Sequence, residues 1–270
     1  MTASFPLAAV WEEAVRVVAA LQDGGLPARL IGGLGVAAHD HADVPPGLLR
    51  DFADIDLVVP GKAGRRTAEL LTVLGYTGNV GFNALHGAKR LLFYDTTNRR
   101  QLDVFVGEFA MCHRLGLDDR LDQHPQALSA ADLLLTKLQI VELNRKDLLD
   151  AVRLLLNHDL TDSAEVAQTA GSIDALSTAR ITSITRTDWG WHTTLADNLA
   201  KVAAGAPGLL AGSQVALVTS RVEGLLAAMA TAPKTTRWKA RAIVGRRMSW
   251  YELPEEVGAA GVAPTTTKEE

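Results

Sequence analysis

The sequence predicts an α/β protein of the α+β kind, with a small mixed sheet flanked by helices in the N-terminal half and a helical C-terminal half. Three observations predict it. Short apolar runs bounded by turn residues, the mark of strands, fall at 28–31, 53–59, 91–94 and 101–106. Helical periodicity fills the gaps at 10–22, 34–41 and 65–74. Beyond Ser129 only the helical period remains.

Each element has a local reason. Val10, Val15, Val17, Val18 and Leu21 line one face of the first helix, which Gly24-Gly25 ends. The strand at 28–31 runs into Gly32-Gly33 and then a helix at 34–41. Pro60-Gly61 closes the second strand. Leu70, Leu71 and Leu74 give the helix at 65–74 its apolar face, and Gly75 stops it. The stretch 76–86 holds two glycines, Gly78 and Gly81, and reads as bends with a short strand at most. A hairpin follows, with 95–100 as its polar loop. Residues 108–124 read as irregular, and Asp118, Asp119 and Asp122 as a solvated loop. Ser129 with Asp132 resembles a capping box opening a long helix, which 144–147 threatens to interrupt before 148–156 resumes it. Further helices are expected over 215–229 and 235–248. This organisation divides into 1–128, a helical part 129–257, and a small, polar and disordered tail at 258–270.

The 270 residues carry a net charge of −4 and are 47% hydrophobic, enough for a real core. The whole molecule is therefore no basic nucleic-acid binder, though a local basic patch remains open. The lone Cys112 cannot form an internal disulfide and reads as a buried thiol of a reducing, cytoplasmic compartment. No basic and apolar leader opens the chain, and no run reaches the ~18 apolar residues of a membrane span.

The chemistry concentrates between Ile31 and Asp103. Asp54 and Asp56 stand two apart in an apolar run, so a strand turns both to one face. Adjacent carboxylates repel unless a cation sits between them, and hard oxygen ligands suit Mg²⁺ or Mn²⁺. Asp103, embedded in Leu-Asp-Val-Phe-Val, needs a partner or a metal as well. The Gly32-Gly33 turn lets phosphate approach backbone N–H groups, or is a plain strand-to-helix turn. Arg50, shortly before the acids, pairs with one of them, grips a phosphate, or forms a surface ion pair.

Gly32-Gly33, Asp54-x-Asp56 and a later strand aspartate, Asp103, together resemble the DNA polymerase β-like nucleotidyltransferase superfamily. The resemblance implies a sheet of the nucleotidyltransferase type and an NTP substrate. It implies metal held by Asp54, Asp56 and Asp103, with two ions ~4 Å apart in that chemistry. Asp103 would also help to deprotonate the attacking hydroxyl. A second stretch, with Lys137, Arg145, Lys146, Asp147 and Asp150 in order, resembles the distal motif of the AbiEii/MenT-like toxin branch. That likeness implies Lys137 near the nucleotide phosphates and Asp147 essential to the reaction. It further implies a toxin–antitoxin pair, with an antitoxin protein as partner and tRNA, another RNA or a protein hydroxyl as acceptor. The chain departs from that branch at Gly33-Leu34-Gly35, which lacks a following lysine, and at Ala53, where Ser or Thr is usual.

Two other activities stay open: small-molecule nucleotidylation of the antibiotic-modifying kind, and nucleotide binding without catalysis. Trp189-Gly-Trp191-His192 fits a helical core, with base stacking as the alternative. The basic run 234–247, with Arg237, Lys239, Arg241, Arg246 and Arg247, is either a solvated face or a track for an RNA backbone.

Overall fold

The computed structural model describes residues 5–40, 43–163 and 175–253. The expected tail at 258–270 lies outside them. In chain order come α1 (Val10–Asp23), β1 (Arg29–Leu30), α2 (Gly32–Ala37), β2 (Ile55–Val59), α3 (Gly64–Val73), β3 (Thr77–Gly78) and α4 (Val80–His86). Next are β4 (Arg90–Asp95), β5 (Arg100–Val106), β6 (Glu108–Ala110), β7 (Arg114–Gly116), α5 (Ala130–Leu138) and α6 (Arg145–Asn157). The chain continues through β8 (Leu160–Thr161), β9 (Leu176–Ser177), α7 (Thr178–Thr185), α8 (Trp189–Gly205), α9 (Gly212–Thr231) and α10 (Thr236–Val244).

The main sheet has five strands in the order β1-β2-β5-β4-β3. It is mixed, because β2 and β5 run parallel while the other pairs are antiparallel. The period-2 pattern sets its two faces. Ile55, Leu57, Val59, Leu102, Val104 and Val106 join one core with α1 and α3. Val58 and Phe105 point the other way, into a second core with residues of α5, α6, α8 and α9. Asp56 and Asp103 alternate with those apolar residues, so they share the face turned toward the C-terminal helices.

Several elements depart from expectation for identifiable reasons. Segment 76–86 holds a strand and a helix, because the Asn79 side chain caps α4 by accepting from Phe82 N–H. The hairpin is longer than expected. Asp95 and Arg100, read as loop residues, are its last pair; both are buried, and Arg100 donates to the carbonyls of Leu7 and Ala8. Residues 108–116 form the β6–β7 hairpin instead of irregular chain. The interruption expected at 144–147 falls earlier, between Leu138 and Arg145, and divides the long helix into α5 and α6. Asn144 caps α6 by accepting from Asp147 N–H, and Asn198 donates to the carbonyls of Leu138 and Ile140 in the break. Among the described residues no single helix is long and apolar enough to cross a membrane, although α9 with the segment Thr236–Arg247 passes that test as a bent pair.

Candidate active site

The site is centred on Asp56. It is opposite Asp103 in the parallel β2–β5 register, on the same sheet face. Asp54 precedes the strand and is exposed, whereas Asp56 is half-buried and Asp103 buried. Burial raises the Asp56 carboxyl to about 7, and the charges of Asp103 and Asp54 push the same way, against Lys137 and Arg90. Gly32 backs onto this carboxyl. Its backbone is left-handed at φ 61°, and a Cβ there would overlap the Asp56 carboxylate. A Cβ at Gly33 would likewise overlap the Arg50 guanidinium. Both glycines are therefore fixed by close approach of a charged side chain. Ile31, at the start of α2, supplies no side-chain cap, so the first-turn N–H groups of this short helix lack one.

Lys137, near the C-terminal end of α5, is buried. It lies 3.1 Å from the Asp147 and 2.9 Å from the Asp150 carboxylates at the start of α6. Burial works against its charge, but the two carboxylates prevail and raise its pKa. Arg50 reaches Asp150 from the loop before β2, with Nε at 2.9 Å and Nη2 at 2.7 Å. It also lies over the Phe52 ring. Its fork is thus committed to Asp150 and not to Asp54, Asp56 or solvent. Arg145 and Lys146 open α6 and are exposed.

Asp103 is gripped by Arg90. Nε donates to Oδ1 at 2.9 Å and to Oδ2 at 3.1 Å, and Nη2 donates to Oδ2 as well. Arg90 escapes notice in the sequence because its role depends on register. Leu92 lies opposite Asp103, which makes Arg90 the diagonal neighbour on the same face. Asp150 belongs to the distal stretch singled out in the sequence, but its partner Arg50, 100 residues earlier, is not recognisable there.

Around Asp56, five carboxylates (Asp54, Asp56, Asp103, Asp147 and Asp150) meet three cations (Arg50, Arg90 and Lys137). The excess is negative, and it is greatest where Asp56 is already hard to ionise. That arrangement fits a hard cation at Asp54 and Asp56. Asp103 fits it less directly, since Arg90 holds both its oxygens. Among the described residues no three His, Cys, Asp or Glu side chains stand close enough to hold a metal ion.

In the basic run 234–247, Arg237, Lys239 and Arg247 are exposed, while Lys234, Arg241 and Arg246 make contacts within the chain. Lys234 donates to the carbonyls of Met229 and Ala232. Arg241 donates to those of Gly245, Met248 and Ser249 and covers the Trp189 ring. Arg246 pairs with Asp197. These side chains hold down the C-terminal segment, and α10 packs on α8. Trp191 is buried against His113, as a core tryptophan.

No protein-family model matches the chain, and no curated protein matches it significantly. It is similar to the solution structure of the antibiotic-resistance factor ANT(2'')-Ia, at 16% identity and a TM-score of 0.32. The match covers 86% of this chain and 95% of that one, and a likeness at that score carries no argument about chemistry.

Proposed function

We propose that the chain is a nucleotidyltransferase that moves a nucleoside monophosphate from an NTP to an acceptor hydroxyl and releases pyrophosphate. The observation that supports this reading is the Asp56 carboxylate, opposed by the charges of Asp103 and Asp54 and packed against the Gly32 turn. Asp54, Asp56 and Asp103 would hold Mg²⁺ or Mn²⁺, which supplies Lewis-acid polarisation of the phosphoryl group when bound. The Gly32-Gly33 turn receives the nucleotide phosphates, with the positive charge of Lys137 beside them. Arg50 and Asp150 hold the Gly33 turn and Lys137 in place. Asp103, whose oxygens Arg90 holds here, would accept the proton of the incoming hydroxyl once it is exposed to it.

A toxin acting on tRNA or another RNA, countered by an antitoxin, is the acceptor reading that the distal motif of Lys137 and Asp147 suggests. Small-molecule nucleotidylation has the same chemistry at the phosphate. Incubation with each labelled NTP, Mg²⁺ and cell lysate, then separation into RNA, protein and small-molecule fractions, identifies the acceptor. No label in any fraction with any NTP would favour nucleotide binding without catalysis.

A further inference from the structure

Three grooves adjoin between α10 and the sheet face that carries the aspartates. The first, of about 160 Å³, lies against Trp189, Trp238 and Arg241. Arg237 and Trp250 line it and also the second, of about 470 Å³. Arg114 and Glu252 line the second and also the third, of about 500 Å³. Arg90, which holds Asp103, lines the third together with Phe105. Phe105 stands two residues beyond Asp103 on the same sheet face, about 7 Å along β5. The three grooves therefore lead from α10 to the edge of the aspartate site.

Their lining suits a polyanion with flat bases. Among the described residues it carries five cations, Lys89, Arg90, Arg114, Arg237 and Arg241. Against them stand three carboxylates, Glu108, Asp188 and Glu252. The positive excess is local, since the whole chain carries −4. Glu108 is itself shared, at 2.7 Å from Lys89 and 3.8 Å from Arg114. Arg237 is exposed, and its side chain makes no hydrogen bond or ion pair with another described residue. Trp189, Trp238, Trp250 and Tyr251 are half-buried along the first two grooves, so part of each ring stays open. Cations that follow a backbone, alternating with rings that stack bases, are the two parts of a single-strand site. A duplex brings the phosphates without the free base faces, and a cationic small molecule meets like charge.

We propose that these grooves form a binding track for single-stranded nucleic acid, running from Arg237 past Trp250, Tyr251 and Arg114 toward Asp103. The bound strand is the acceptor, and its terminal hydroxyl is what the track presents to the aspartates. That second role rests on the nucleotidyl-transfer reading of the Asp56 site; binding along the track does not.

The test is binding by fluorescence anisotropy over a salt series, without NTP or metal. The probes are a labelled ten-nucleotide RNA, the DNA of the same sequence, and the duplex. Wild type should bind a single strand more tightly than the duplex. Arg237→Gln and Arg114→Gln should each weaken binding about 5-fold and lower the salt slope by about 0.7. Arg237 makes no side-chain contact that folding needs, so its variant stays interpretable if Arg114→Gln does not fold. Tyr251→Ala should weaken binding about 10-fold with the slope unchanged, because stacking releases no counterions. Lys239 is exposed on the same helix but lines none of the three grooves, so Lys239→Gln should bind as wild type does. A loss in Lys239→Gln equal to that in Arg237→Gln would mean diffuse attraction and overturn the track. Duplex binding as tight as single-strand binding would overturn it too, as would unchanged affinity in Arg237→Gln or no binding at low salt. Single-strand binding by a wild type that transfers no label would keep the track and sink the proposed reaction. Labelling of a small-molecule fraction by a protein that binds no strand would do the reverse.

Discussion

At the scale of the residue, Asp56 holds a charge that its surroundings oppose. Its carboxyl is raised to about 7, so the folded protein keeps a proton there that the unfolded chain has lost. Stability from this group is complete below about 4 and is lost as the pH rises toward 7. Asp56→Asn removes the opposed charge. Without metal at pH 8, it should be more stable than wild type by about 1–3 kcal/mol in denaturant titrations. It should also lose transfer by about 10²–10³-fold. A variant that is both less stable and fully active would contradict both roles. Gly32→Ala should do the opposite, losing more than ~1 kcal/mol at its left-handed position while displacing the Asp56 carboxylate. The Asp-x-Asp pair and the glycines are legible in the sequence, because a strand period and a turn are local properties. Arg90 is not, and neither is the pairing of Asp150 with Arg50 and Lys137, because each takes its meaning from a partner that only pairing register or a second helix brings near.

At the scale of the element, the break between α5 and α6 turns one expected helix into two, and so brings Lys137 against Asp147 and Asp150. The two acids differ in what they support. Asp150 is buried and serves both Lys137 and Arg50, whereas Asp147 is more exposed and serves Lys137 and its cap. Asp150→Ala should therefore cost about 3–5 kcal/mol by stranding two cations. Asp147→Ala should cost about 1 kcal/mol or less, yet impair transfer if the distal motif acts in the reaction. Equal losses of stability would show that the network does not divide this way. His113 ties the turn between β6 and β7 to α8 through Thr194, at 2.9 Å, and burial lowers its imidazole to about 4. Below about 6.5 the unfolded chain takes a proton that the folded one refuses, so this contribution is lost as the pH falls from about 6.5 to about 4. His113→Gln should flatten that part of the stability profile, measured by thermal melts across the window. The sequence could not foresee the tie, since 108–124 shows no periodicity and the hairpin is fixed by long-range contacts.

At the scale of the whole molecule, the acids lie where the two halves meet. The sheet face that carries them packs into a core drawn from both sides of the 128/129 boundary, with Ile31, Val58 and Phe105 on one side and Leu133, Leu155, Leu199 and Val222 on the other. Residues 1–128 expressed alone should therefore expose that face and bind a hydrophobic dye, and recovery of a compact, dye-silent fragment would contradict it. Alternating strands followed by helices made the fold class legible; the shared core was not, because periodicity shows which side of an element is apolar and not what covers it. The basic run 234–247 illustrates the same limit, for its charge is plain in the sequence while its use on backbone carbonyls and Asp197 is not. The central claim is that the repelling aspartates mark a site of nucleotidyl transfer. It is tested most directly by giving wild type and Asp56→Asn the same NTP labelled at either the α or the γ phosphate, with Mg²⁺ and lysate. The account predicts that wild type places the α label on an acceptor, leaves the γ label in pyrophosphate, and that Asp56→Asn transfers neither. Transfer of the γ label, or undiminished α transfer by Asp56→Asn, would contradict it.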